Sequence, residues 1–311
     1  MRKFLALLLC VFMLTSFVAC GEEEKTNVSS TQVDNNTITV VNKAYTDTIT
    51  ALSKVKALGY SASFVKSSTV DDATVSNRIA TTLNFLGEGE EKKYSYIDTV
   101  NNGTISEEAQ IYSDAKNIYA HKLGTTYLLS NNKETNEYAE TLVKNIEIFD
   151  ASKIKVNDTV IVNAAGGGHG FVLEYDFNDK AFNADEEFGA FIAKDKENDN
   201  FTVTGLRVSG IINQDGKITS QTVTYSYTYT VEVEVEIEDV DPDNESAETT
   251  KKVTKTVENQ IVFEVNLNYD LVEIKAPNKI EVMTEDSKPY DEISLTEFQK
   301  LSSTNKDDDD K

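Results

Sequence analysis

From Thr222 to Glu238 the chain alternates without a break: Val223, Tyr225, Tyr227, Tyr229, Val231, Val233, Val235 and Ile237 hold one parity, while Thr, Ser and four glutamates hold the other. A period of two places such sets on opposite faces of a β-strand, so this segment predicts a strand with one apolar and one polar face. At about 3.3 Å per residue it runs beyond roughly 50 Å, longer than a globular domain usually uses, and must bend, coil or project. Its partner is Val253 to Tyr269, where Val257, Ile261, Phe263, Val265 and Leu267 share one face. Lys251, Lys252 and Lys255 fall beside the glutamates of 232–238, a charge match that favours pairing of the two.

The rest of the chain supplies what such a sheet needs. β-rich runs at about 60–68, 75–86, 92–100, 105–113, 116–121 and 124–130, separated by turn-prone DD, GEGEE, NNG and SDAKN, read as an antiparallel meander. Helical spacing occurs before it, in Tyr45, Ile49, Leu52 and Val55 followed by Gly59, and after it in 134–149. Strands near 158–163 and 170–177 precede a further helical stretch near 184–194, with Phe188, Phe191 and Ile192 on its apolar side. Strands at 201–213 and 217–238, the return at 251–269 and a last strand near 270–275 complete the pattern. Residues 40–285 therefore read as one domain, with two similar helix-plus-meander halves at 40–163 and 170–285.

The N-terminus places this domain outside the cytoplasm. Arg2 and Lys3 precede an apolar run from Phe4 to about Met13, the pattern of a signal peptide spanning 1–19 and too short for a membrane span of about 20 residues. Phe17-Val18-Ala19-Cys20 resembles the lipobox of bacterial lipoproteins, although Leu is usual where Phe17 stands. That resemblance implies lipid attachment at Cys20 and a membrane anchor on the extracytoplasmic face. Two acyl chains suffice for stable attachment. Residues 20–39 then form the lipidated cysteine and a polar tether. At the other end, 286–311 reads as a flexible acidic tail, whose final KDDDDK has the form of an enterokinase recognition sequence and is set aside from fold reasoning.

Composition narrows the function. With 53 Asp+Glu against 30 Lys+Arg among 311 residues, the net charge is −23, which repels phosphate backbones and argues against nucleic acid. Gly166-Gly167-Gly168-His169-Gly170 sits between two strand-like segments and lacks the following helix of a phosphate loop, so it reads as a hairpin loop. His121 and His169 are the only histidines, and nothing spaces carboxylates around them for zinc or copper. The acidic string DVDPDNE at 239–245 starts like a calcium loop but has Asn244 where glycine belongs and Thr250 where glutamate belongs. There is no Gly-x-Ser-x-Gly and no His-Glu-x-x-His. The expectation is a non-enzyme with no metal and no cofactor.

Two segments carry a family resemblance. Val208-Ser-Gly-Ile-Ile-Asn-Gln-Asp-Gly-Lys217 is a strand, turn and strand, and Tyr269-Asp-Leu-Val-Glu-Ile-Lys-Ala-Pro-Asn-Lys-Ile280 is a closing strand followed by Pro277. With the lipobox, the tether and the inserted helices, they resemble the superfamily of lipoprotein carriers and lipid-binding lipoproteins (LolA, LolB and LppX-like) over roughly 40–285. The resemblance implies an α+β fold in which a strongly curved antiparallel sheet, an incomplete barrel, wraps around a few helices and leaves a hydrophobic cavity. The candidate cavity-lining residues are Tyr45, Ile49, Leu52, Phe188, Phe191, Ile192, Tyr225, Tyr227, Tyr229 and Phe263, and the partner would be a lipid or another hydrophobic small molecule. The competing reading is a protein- or glycan-binding adhesion module presented on the cell surface.

Overall fold

The computed structural model describes residues 35–87, 92–102, 106–130, 132–150, 156–163, 168–175, 188–189, 191–236, 250–284 and 289–301. The signal segment, Cys20, most of the tether, the 239–245 loop and the terminal KDDDDK lie outside them. The strands are β1 (Ala57–Val70), β2 (Ala73–Leu86), β3 (Lys93–Asn101), β4 (Ser106–Ser113), β5 (Ile118–Lys122), β6 (Thr125–Leu129), β7 (Val156–Asn163), β8 (His169–Tyr175), β9 (Asp199–Ile212), β10 (Ile218–Glu236), β11 (Thr250–Asn268) and β12 (Glu292–Ile293). The helices are α1 (Asn35–Leu52), α2 (Asn132–Lys144) and α3 (Leu295–Lys300), with a 3-10 turn at Asp195–Glu197.

All twelve strands belong to one sheet, in the order β12-β6-β5-β4-β3-β2-β1-β11-β10-β9-β8-β7. Two meanders, β1 to β6 and β7 to β11, meet where β1 pairs antiparallel with β11. The long alternating strand pairs as its charge pattern predicts: Val223 faces Phe263, Tyr225 faces Ile261 and Tyr229 faces Val257. Of the three lysines, Lys252 reaches Glu232 at 3.4 Å, whereas Lys255 turns to Asp71 in the β1–β2 turn at 2.6 Å.

The α+β class stands, but the strongly curved incomplete barrel does not: the sheet is open and mixed. Closure requires the first and last strands of the order to pair at a consistent tilt and stagger. Here one edge is β7 and the other is β12, a two-residue strand lying parallel to β6, and they do not pair with each other. Residues 289–301, within the stretch expected to be a tail, carry both β12 and α3. A capping box starts α3: the Ser294 hydroxyl accepts from the Glu297 N–H while the Glu297 carboxylate accepts from the Ser294 N–H. Leu295 and Phe298 are then buried in the core. The strand expected near 270–275 is also absent. The Asp270 N–H bonds back to the Asn268 side chain, and the chain leaves the ladder irregularly.

Period two sorts the sheet into a covered face and an open one. Leu58, Leu83, Phe85, Tyr94, Ile111, Leu206, Val208, Val223, Tyr225, Tyr227, Ile261 and Val265 join side chains of α1, α2, α3 and 188–192 in one core cluster. On α1 the buried stripe is Thr37, Val41, Ala44, Thr48 and Leu52, one step round from the expected Tyr45 and Ile49. Threonine takes part because its hydroxyl is satisfied there: Thr48 Oγ1 accepts from the Ile218 N–H at 2.8 Å. On the opposite face a smaller cluster places Ile274 and Ile280 against Tyr112 and Tyr119, so the segment after β11 covers β4 and β5.

The Val208–Lys217 motif folds as a strand and a tight turn into β10. Gly216 takes φ +77°, which an L side chain rarely adopts, and Asn213 accepts from both Gly216 and Lys217 across the turn. At Gly210 the need is space: a Cβ there would lie 2.3 Å from the Ser220 carbonyl oxygen and 2.8 Å from the Phe171 ring.

Candidate functional site

The aromatic residues of β10, expected to line a cavity, pack against one another and against neighbouring aromatic rings. Phe188 stacks on Tyr225 with ring centroids 5.0 Å apart, Tyr225 lies 5.6 Å from Tyr227, and Phe201 lies 5.1 Å from Tyr227. Phe188, Ile192, Tyr225 and Tyr227 are buried, and Tyr229 and Phe263 pack half-buried against them. These six residues are brought together, as core. Tyr45, Ile49 and Leu52 belong to another part of the covered face, where α1 docks on the beginning of β10 through Thr48 and Ile218. Tyr225 lies seven residues further along that strand, about 23 Å away along its axis. Leu52 is buried and Tyr45 half-buried, but Ile49 is 39% exposed.

Phe191 has a different position. It is 37% exposed, and its ring stacks on Phe64 of β1 with centroids 3.8 Å apart. Directly beside it is a polar clamp that sequence reading missed. Lys66, two residues beyond Phe64 on the same face of β1, donates to the Phe191 carbonyl at 2.7 Å and to Asp195 Oδ2 at 2.6 Å. The Tyr227 hydroxyl donates to the same carboxylate oxygen at 2.6 Å. The Lys66 and Asp195 side chains are only 18% and 13% exposed. Burial, followed by the hydrogen bond and the negative charge of Asp195, pushes the Tyr227 hydroxyl far above the ordinary tyrosine range, so it stays a donor. The clamp fixes the 188–197 segment on the sheet. Its only sequence signal is a lysine at an inward position of β1, where burial demands a partner.

Beyond the clamp lies an open groove of about 190 Å³, lined by Phe64, Lys66, Asn77, Arg78, Ile79, Val100, Asn101, Asn102 and Phe191. It forms because β2 continues past the end of β3: Arg78 pairs with Asn101, and no later residue of β3 covers the strand. Ile79 and Val100, paired across β2 and β3, are left exposed beside the Phe191 ring. Phe191 is the one expected lining residue that borders this groove.

The remaining candidates are bland. His121 Nδ1 lies 2.8 Å from the Thr126 hydroxyl, and burial with the nearby Lys279 ammonium lowers its pKa. Gly168 approaches β9 so closely that a Cβ would meet the Ile212 carbonyl oxygen at 2.5 Å, and β7 and β8 pair antiparallel on either side of the 164–168 connection. Among the described residues no group of three His, Cys, Asp or Glu side chains converges on a point that would hold a metal. No helix among them is long and apolar enough to cross a membrane.

No family model matches the chain, and no curated protein matches it. Among solved structures, the crystal structure of a DUF1329 family protein from Desulfovibrio piger aligns over 73% of this chain and 93% of its own, at 10% identity. The TM-score is 0.20, too low for the likeness to bear on fold or function.

Proposed function

We propose that this protein is an exported lipoprotein, anchored through Cys20 to the extracytoplasmic face of a membrane, that binds a small hydrophobic ligand without catalysing a reaction on it. The observation carrying the binding site is the groove between Phe191, Ile79 and Val100, where large apolar side chains stay exposed around a concavity of about 190 Å³. Apolar side chains grouped around a concavity, with a few polar groups at its border, are the usual make-up of a small-molecule site. Tyr227 of the ladder joins the sheet to this site through its hydrogen bond to Asp195, the carboxylate that also holds Lys66.

Two measurements test this reading. Mass spectrometry of the protein from membranes should show a diacylglyceryl group that Cys20→Ser abolishes. Native mass spectrometry before and after solvent extraction should show a small apolar ligand lost on extraction and not retained by Phe191→Ala. Identical ligand-free spectra from native, extracted and variant protein would sink the binding reading.

A second reading draws on the opposite face. Ser61, Ser63, Ser67 and Thr69 on β1 lie in the same lattice as Thr222, Thr224, Ser226 and Thr228 on β10, with Gln260 and Glu264 of β11 between them. Rows of hydroxyls and amides on an open sheet face suit a glycan. Surface-immobilised polysaccharides that retain the protein, but not a Ser67→Lys/Thr224→Lys variant, would favour this adhesion reading.

A further inference from the structure

Strand register divides the floor of the groove into two rows. Phe64, Ile79 and Val100 lie side by side across β1, β2 and β3 and make an apolar row. Lys66 and Asn77 lie side by side two residues further along their strands, and with Asn102, just past the end of β3, they make a polar row. Arg78 and Asn101 pair with each other between these rows, so alternation turns them to the opposite face of the sheet. The cation of the polar row is compensated. Lys66 is held by Asp195 at 2.6 Å, and one of its three ammonium protons is left after those given to that carboxylate and to the Phe191 carbonyl. Asn77 is exposed, and its amide offers both a donor and an acceptor. The nearest carboxylates on the same face, Asp98 and Glu107, stand outside the lining beside the apolar row; Asp98 accepts from Thr81, and Glu107 lies across from Val100 on β4.

Size and spacing set the shape of an occupant. A cavity of about 150 Å³ lined by aliphatic and aromatic side chains accommodates benzene. The volume here, about 190 Å³, therefore suits one phenyl ring with a small head group. Residues two apart on a strand are separated by about 6–7 Å, so a ring on the apolar row places a head group two or three bonds away on the polar row. A charged head group gains little there. An anion is attracted by Lys66 and repelled by the carboxylate that already holds it, and a cation meets the Lys66 ammonium; either gives up hydration without an uncompensated partner.

We propose that the groove selects a neutral amphiphile, an uncharged hydrogen-bonding head group such as a carboxamide on a body of about one phenyl ring, with the ring against Phe64, Ile79, Val100 and Phe191 and the head group on Asn77 and the remaining Lys66 proton. This rests on the groove being the ligand site and adds the charge, polarity and size of what it selects. A carboxamide suits the row because its carbonyl accepts from Lys66 or Asn77 while its N–H donates to the Asn77 carbonyl. The exposure of Asn77 keeps the gain near that of one ordinary hydrogen bond.

The test uses three probes of one shape: the neutral 3-phenylpropionamide, the anionic 3-phenylpropionate and the cationic 3-phenylpropylamine, titrated calorimetrically into the full chain. The amide should bind about three- to fivefold more tightly than either charged probe, the scale of one net hydrogen bond. Asn77→Leu should remove most of that preference by weakening the amide alone. Asp195→Asn keeps the shape and an acceptor for Tyr227 but leaves Lys66 uncompensated, so the acid should gain and become the tightest of the three. Phe191→Ala should weaken all three probes alike. Equal binding of the three to the unaltered protein, tighter binding of acid or amine, an amide preference that survives Asn77→Leu, or no gain for the acid in a folded Asp195→Asn variant would each overturn the proposal while leaving an apolar groove in place. Failure of all three probes to bind would remove the groove as a ligand site and the proposal with it. Near-ultraviolet circular dichroism checks the fold of each variant, and the exposed Asn77 provides the decisive arm if Asp195→Asn disturbs it.

Discussion

Replacing Asp195 with alanine removes the acceptor shared by Lys66 and Tyr227, and its effect follows from the geometry. Both hydrogen bonds are 2.6 Å long, and the ion-paired side chains are 13% and 18% exposed. Breaking a fully buried pair by deleting one partner costs about 3–5 kcal/mol, because the other charge is left uncompensated. The residual exposure allows water to solvate Lys66 in part, which reduces the expected loss to about 2–4 kcal/mol. For a domain of this size that is a fall in melting temperature of roughly 5–12 °C. Urea denaturation of the wild type, Asp195→Ala, Lys66→Met and the double variant forms a closed cycle. The double variant should be more stable than the sum of the single losses implies, by about 1–3 kcal/mol, since the orphaned ammonium is gone. A single Asp195→Ala loss within about 0.5 kcal/mol of zero would mean that the pair is effectively solvated, as surface pairs are, and that the 188–197 segment is not held by it.

Other outcomes follow from the same structure. Tyr225→Ala removes a fully buried ring stacked on Phe188 and should cost about 3–5 kcal/mol in chemical denaturation. Gly210→Ala should destabilise by at least about 1–3 kcal/mol, because the added methyl meets the Ser220 carbonyl and the Phe171 ring; an unchanged midpoint would show that β8 and β9 are less tightly packed than described. Acid should loosen the segment after β11. Glu108 is held below its ordinary pKa chiefly by the hydrogen bond from Lys279, and His121 is lowered by burial. Both shifts are downward, so their contributions are present above the unfolded-state values, about 6.5 for the histidine and about 4.5 for the glutamate, and are lost as pH falls through the folded ones. Hydrogen exchange of residues 271–284 should therefore accelerate between neutral pH and about pH 4, beyond the intrinsic pH effect, and Lys279→Met should remove the glutamate part of that dependence.

Much of the sheet was legible because side-chain alternation is a local property. Each strand from β1 to β6 is announced by its own period, and the β10–β11 pairing by complementary faces and by the glutamates opposite lysines. Legibility stopped where a residue's role depended on a neighbour distant in sequence. α1 begins ten residues before Tyr45 because Thr37 and Thr48 belong to its buried stripe, and a threonine reads as polar until its hydroxyl finds the Ile218 N–H. The 270–275 run has strand-like residues, yet the Asn268 side chain diverts it from the ladder. At the candidate site, Phe191 was identified from its helical spacing, but its difference from Phe188 and Ile192 was not, since one ring rests on Phe64 at the margin while the other two side chains enter the core.

The sequence by itself determined that this chain is a β-rich molecule with one apolar and one polar sheet face, because hydrophobic period and charge sign need no three-dimensional context. Tertiary structure alone decided that the sheet stays open, that the tyrosine ladder packs against Phe188 and Phe201, and that Lys66, Asp195 and Tyr227 meet. Closure depends on whether the outermost strands can pair, and a two-residue parallel β12 cannot carry the ladder round to β7. The clamp joins residues 129 and 32 positions apart, brought together only when β1 and β10 flank β11 and the 3-10 turn lies over them.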